Sequence, residues 1–129
     1  MRLKVALIAA LASILLGPSP VQAEDVSVIS TVPGAIFHGY ASPVTVVTPG
    51  AAFHYLNFDI FQHDVVSRES GPDTQPWCKP PAPCPLLHSE LIGPGEQTEV
   101  QGTENLEPGK RYSIFCTLHP SMKGTIVVP

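Results

Sequence analysis

From residue 25 onward, apolar residues recur in short alternating runs broken by proline and glycine, and no run keeps a helical period for a useful length. The pattern predicts an all-β protein. Strands are expected over residues 25–31, 44–48, 53–58, 63–67, 98–101, 111–116 and 124–128, with Pro49-Gly50 and Pro108-Gly109 as turns between them. Side chains alternate faces along a strand, so Tyr112, Ile114 and Cys116 share one face, and Ile126 and Val128 share theirs. If those faces point inward, Cys116 stands at one end of the core.

Two regions depart from this pattern. Residues 1–23 carry Arg2 and Lys4, an uncharged apolar run from Val5 to Leu16, two prolines, and a Val21-Gln22-Ala23 close, which is the layout of a cleaved secretory signal peptide. The apolar run is shorter than the roughly 20 residues that span a bilayer. Between Arg68 and Gly95, prolines accumulate around Cys78 and Cys84 while β-branched residues thin out, so residues 68–95 read as a long surface insert.

Removing 23 of 129 residues leaves 106, enough for one domain at 24–129 with a single core. Loss of Arg2 and Lys4 takes the formal charge from −4 to −6, which disfavours nucleic acid and favours a basic partner. Three cysteines in an exported chain leave one over after pairing. Cys78 and Cys84 are close in sequence and are expected to form a disulfide, although two thiolates also allow a second copper site. Cys116 is then the free thiol.

Around Cys116 the sequence Cys116-Thr117-Leu118-His119-Pro120-Ser121-Met122 offers a thiolate, an imidazole and a thioether at three-residue intervals. One tight loop can converge all three on a point. Thiolate and thioether suit Cu(I), imidazole suits both oxidation states, and two histidines, a cysteine and a weak axial methionine make a one-electron copper site. Zinc fits less well, since methionine is not among its usual ligands. The second imidazole is offered by His63, which follows a strand ending in a polar Asn57…Asp59 turn.

These two segments resemble the cupredoxin family of blue copper proteins, plastocyanin- and amicyanin-like, with the short ligand loop similar to the amicyanin type. The resemblance covers most of the chain after residue 23. It implies a Greek-key β-sandwich of seven to eight strands, one copper held by His63, Cys116, His119 and Met122, and one-electron transport between redox proteins by a monomer. It also implies a loop histidine, His119, emerging through an apolar patch, for which Leu118, Pro120 and the Pro33-Gly34-Ala35 turn are the expected neighbours. In the family, the residue after the first histidine is commonly Asn and clasps the ligand loop. Here it is Asp64, which can accept a hydrogen bond from the Thr117 hydroxyl.

His38, His54 and His88 have no partner at metal-ligand spacing and read as surface or packed residues. Cys116 and Met122 each have a plainer reading as core side chains. No His-x-His motif is present for further copper centres, so the protein is expected to be redox-active without being an enzyme. A copper scavenger or delivery protein is the rival function.

Overall fold

Inward and outward positions alternate where the sequence pattern places them. In β3 (Ala52–Asn57), Phe53, Tyr55 and Asn57 are buried, while in β6 (Arg111–Phe115) the buried pair is Tyr112 and Ile114. The computed structural model describes Gly17, residues 25–79 and residues 83–129. The expected signal peptide at 1–23 lies outside the described residues, apart from Gly17, and no described helix is long and apolar enough to cross a membrane.

The remaining strands are β1 (Val26–Thr31), β2 (Val44–Val46), β4 (Val66–Ser67), β5 (Gln97–Glu99) and β7 (Lys123–Val127). They form a three-stranded sheet ordered β1-β3-β5 and a four-stranded sheet ordered β2-β7-β6-β4. Pairing is parallel in β1/β3 and β2/β7 and antiparallel elsewhere. This is the expected Greek-key sandwich, with seven strands among the described residues. Ile29, Phe53 and Tyr55 from one sheet meet Ile114, Ile126 and Val128 from the other in a continuous core, the term that dominates folding.

Three local expectations are corrected. The strand predicted over 63–67 is reduced to Val66–Ser67, because His63 pairs instead with Ile92 across a two-bond bridge (3.0 and 3.1 Å). A one-turn helix, Ala35–His38, follows Gly34, whose left-handed φ of 92° lets the chain turn into it. The region 68–95 is only partly a surface insert. Its second half returns to the core, with Leu87 fully buried and Ile92 and Leu86 nearly so.

That return is fixed by hydrogen bonds that extend the sheet. The Leu86 and Ser67 N–H groups donate to Glu69 and Leu87 carbonyls, and the His88 and Gln101 backbones exchange two bonds. Cys78 and Cys84 form the expected disulfide. Trp77 lies flat on His88, 5.8 Å between ring centroids, and donates its indole N–H to the Pro85 carbonyl at 2.8 Å. The proline-rich stretch is thereby tied to the body at both ends.

Candidate metal centre

Cys116 is the first residue after β6, and it keeps the inward parity of Tyr112 and Ile114 and is fully buried. The chain then turns within six residues. Its two internal bonds run from the Met122 N–H to the His119 carbonyl (2.8 Å) and from the Cys116 N–H to the Met122 carbonyl (3.4 Å). Met122, also fully buried, closes the loop immediately before β7. His119 is left half-buried at the tip.

His63 reaches the same place from the other side of the sandwich. Asn57, at the end of β3 and fully buried, accepts from the Thr31 hydroxyl (2.8 Å) and the Asp59 N–H (2.9 Å) and donates to the Phe61 and Ile92 carbonyls (2.7 and 3.0 Å). Its amide is thus fully used, as burial demands. These bonds fold residues 58–63 into a compact turn and aim His63 inward.

The three donors converge. Cys116 Sγ lies 3.7 Å from His63 Nδ1 and 3.9 Å from His119 Nδ1, and the two nitrogens are 3.2 Å apart. A point equidistant from all three atoms is about 2.1 Å from each, within the usual metal–ligand range of about 2.0–2.3 Å for nitrogen and sulfur. The donor set therefore fits one metal ion, and its single soft thiolate with two imidazoles fits copper. Burial pushes the Cys116 thiol above its ordinary range, against backbone N–H groups that pull it down. Metal uptake must displace that proton.

Two carboxylates frame the donors. Asp59, buried, accepts from His63 Nε2 at 2.7 Å, which fixes the tautomer that leaves Nδ1 as the free lone pair. Burial alone would raise the Asp59 carboxyl, but the His63 hydrogen bond and the N–H groups of Ile60 and Gly34 outweigh it and hold the group below its ordinary range. In the sequence Asp59 reads only as part of a polar turn, with no role of its own. The signal available was a carboxylate four residues before a candidate ligand histidine.

Asp64 is the clasp anticipated from its position. Its carboxylate accepts from the Thr117 N–H at 2.7 Å and from the Thr117 hydroxyl, while its own carbonyl accepts from the Tyr40 hydroxyl at 2.7 Å. The two ligand-bearing segments are joined there.

The surface around His119 differs in part from expectation. Leu118 is exposed, but Ala35 is fully buried, and Phe61, also exposed, is the apolar side chain seen against the ring. Phe61 packs edge-on to the His119 ring at 6.3 Å. His38 is exposed, His54 is half-buried on the outer face of β3, and His88 lies under Trp77. Among the described residues, one other cluster has metal-ligand spacing, Asp73 with Cys78 and Cys84, and its two thiols are consumed by the disulfide.

A Greek-key sandwich with buried cysteine and two histidine nitrogens converging at one end defines a mononuclear copper protein of the cupredoxin class. Residues 36–129 match the copper binding proteins of the plastocyanin/azurin family, and the chain belongs to that family, with copper as its cofactor. Its fold is similar to that of a purple cupredoxin from Nitrosopumilus maritimus (TM-score 0.55, 18% identity, covering 80% of this chain and 99% of that one). It is also similar to amicyanin from Paracoccus versutus (TM-score 0.55, 17% identity, covering 84% and 86%) and to a reduced tryptophan-to-tyrosine mutant of amicyanin (TM-score 0.56, 19% identity, covering 84% and 87%). No curated protein sequence matches the chain.

Proposed function

We propose that this protein is an exported, monomeric one-electron carrier, not an enzyme, whose blue copper centre is bound by His63 Nδ1, His119 Nδ1 and Cys116 Sγ with Met122 as the weak axial ligand. The observation that carries the reading is the equidistance of the three donor atoms, about 2.1 Å from a common point. When bound, copper supplies a Cu(I)/Cu(II) couple whose single electron needs no accompanying proton. The chain supplies the rest. Asp59 orients His63, the Asp64–Thr117 clasp holds the ligand loop against the His63 segment, and the full burial of Cys116 and Met122 keeps water from the thiolate.

Electrons enter or leave by His119, the half-buried ligand, through the apolar surface of Leu118, Ile60 and Phe61. A small apolar contact lets a redox partner dock and leave quickly, and the excess of acidic residues steers a basic partner toward the molecule. The reading is tested by a visible spectrum of the copper-loaded protein. Intense thiolate-to-Cu(II) absorption is expected, and Cys116→Ser should abolish it. Colour that persists in that variant, with Cys78 and Cys84 intact, would refute the ligand assignment. Fast electron self-exchange would separate a carrier from a copper scavenger, which should instead surrender its metal to weak chelators.

A further inference from the structure

Away from the copper end, the described residues bring one other set of soft donors together. Cys78 and Cys84 have Cα atoms 5.1 Å apart, and a carboxylate oxygen of Asp73 lies within 4.8 Å of both sulfurs. Cys84 is 2% exposed, Cys78 is half-buried, and Asp73 faces solvent. A reagent in solution therefore meets the Cys78 sulfur first.

More than the disulfide holds this pair together. The Cys78 N–H donates to the Gln75 carbonyl (2.9 Å), and the Cys84 carbonyl accepts from the Gly71 N–H (2.7 Å). The residues beside the two cysteines are joined directly, since Trp77 donates its indole N–H to the Pro85 carbonyl (2.8 Å). Trp77 is in turn seated on the body of the protein. It lies flat against His88, and so close to Gly102 that a Cβ there would stand 3.2 Å from its ring. The Trp77–Pro85 bond closes nearly the same short loop as the disulfide, and a cross-link gains least where the loop it closes is short. As a staple the disulfide is largely redundant, and its reduction leaves both sulfurs held near each other.

We propose that Cys78 and Cys84 form a second, redox-gated metal site, which binds one Cu(I) when the disulfide is reduced and none when it is oxidised. A dithiol reductant opens it. One thiolate of the reductant attacks the Cys78 sulfur, the Cys78–Cys84 bond breaks, and the second thiol resolves the mixed disulfide. Two electrons and two protons pass from the reductant, which becomes a disulfide, to Cys78 and Cys84. Cu(I) then displaces the two protons and takes both thiolates, the soft donors it prefers. Two metal–sulfur bonds of about 2.3 Å put the sulfurs at most about 4.6 Å apart, a separation that staggered side chains reach from Cα atoms 5.1 Å apart. Zinc, which takes four donors in structural sites, finds at most three here. None of these atoms belongs to the His63, Cys116 and His119 set, so the inference stands apart from the copper reading above.

The test disables the first site and asks for the second. In Cys116→Ser, the disulfide is reduced by a water-soluble phosphine, which takes the oxygen of one water to become the phosphine oxide as the two thiols form. Once the phosphine is removed without air, Cu(I) is titrated in against the chelator bathocuproine disulfonate. The reduced variant should hold one Cu(I) per chain more than its oxidised form, and X-ray absorption should show the added ion bonded to two sulfurs. Introducing Cys84→Ser as well should abolish the gain. Trp77→Phe, which keeps a ring over His88 but loses the N–H that reaches Pro85, should weaken the added binding about fivefold, the worth of one hydrogen bond. No gain on reduction, a gain that survives Cys84→Ser, or equal affinity in Trp77→Phe would each overturn the proposal. Colour in the wild type reports on Cys116 alone, so failure of the blue copper reading and failure of the second site are told apart.

Discussion

Replacing Asp59 by Asn is expected to raise the reduction potential by about 0.1 V while copper stays bound. The Asp59 carboxylate accepts from His63 Nε2 at 2.7 Å inside the protein. Adding the width of an imidazole ring and a metal–nitrogen bond of about 2.0 Å places this charge about 6–7 Å from the copper. With an effective dielectric constant of about 20, one unit charge at that distance favours Cu(II) over Cu(I) by about 2.5 kcal/mol. For a one-electron couple, about 1.4 kcal/mol corresponds to about 59 mV, so removing the charge raises the potential by about 110 mV. Asn is also an imperfect replacement. With one amide oxygen turned to His63, its NH₂ faces the Ile60 N–H that Asp59 now accepts at 2.8 Å, and this donor–donor conflict costs about 1–3 kcal/mol of stability. Spectroelectrochemical titration measures the potential, and urea unfolding measures the stability. A potential that stays within about 30 mV of the wild type, or falls, would refute the argument that an ionised Asp59 acts on the metal through His63.

Met122→Gln should retain copper and lower the potential, because an axial thioether is a weak contact whose identity tunes the couple. Complete loss of metal on dialysis, or an unmoved potential, would count against the axial role. Leu87→Ala should cost about 2–5 kcal/mol in urea unfolding, while Leu91→Ala, at an exposed position, should stay within about 0.5 kcal/mol of the wild type. Equal effects would mean that the second half of the 68–95 region is not core. Burial lowers the His88 pKa, so below the ordinary imidazole value of 6.5 the unfolded chain takes up a proton that the folded ring does not. Stability should therefore fall as pH drops from that value toward the lowered folded one and then level off. His88→Gln should flatten that window, and an unaltered pH profile of unfolding would show that His88 is not its source.

Much of this was legible along the chain because two periodicities coincided with chemistry. Strand alternation buried Tyr112, Ile114 and Cys116 together, and the three-residue spacing from His119 to Met122 is what a turn closed by the Met122 N–H on the His119 carbonyl requires. The Asp64–Thr117 clasp was legible for the same reason, since both residues are sequence neighbours of ligands. Asp59 was not, because its partner is chosen by the way Asn57 folds the turn, a tertiary effect without a local pattern. The core role of Leu86, Leu87 and Ile92 was masked by the prolines around them. Each pairs with a distant backbone, Glu69, Ser67 and His63, without a strand's alternation to announce it. Phe58, Ile60 and Phe61 were hidden similarly, since a hydrophobic residue in a turn reads as core until the fold shows it exposed.

The bonds that hold the two imidazoles in place leave their metal-facing nitrogens out, while the Cys116 sulfur also receives backbone N–H groups. His63 is fixed through its Nε2 and its backbone, Cys116 through its backbone N–H, and the His119 turn through its carbonyl. Asn57 braces the turn that carries His63, and Asp64 fastens that segment to the Cys116 loop, neither of them bonding at the metal position. Such a frame has the same hydrogen bonds to satisfy in either oxidation state, so neither state can recruit it by offering better bonds. Close packing makes the interior resist small displacements, and Cys116, His63 and Met122 are all fully buried. A change of one electron at the site therefore meets a cage with little freedom to follow it, and little structural work stands between donor and acceptor. The exposed exception is the His119 side, where Phe61 touches the ring edge-on and the covering loops carry their apolar residues outward. Rigidity and access are thus divided between the two imidazoles, His63 locked by a buried carboxylate and His119 left at the surface where a partner can reach it.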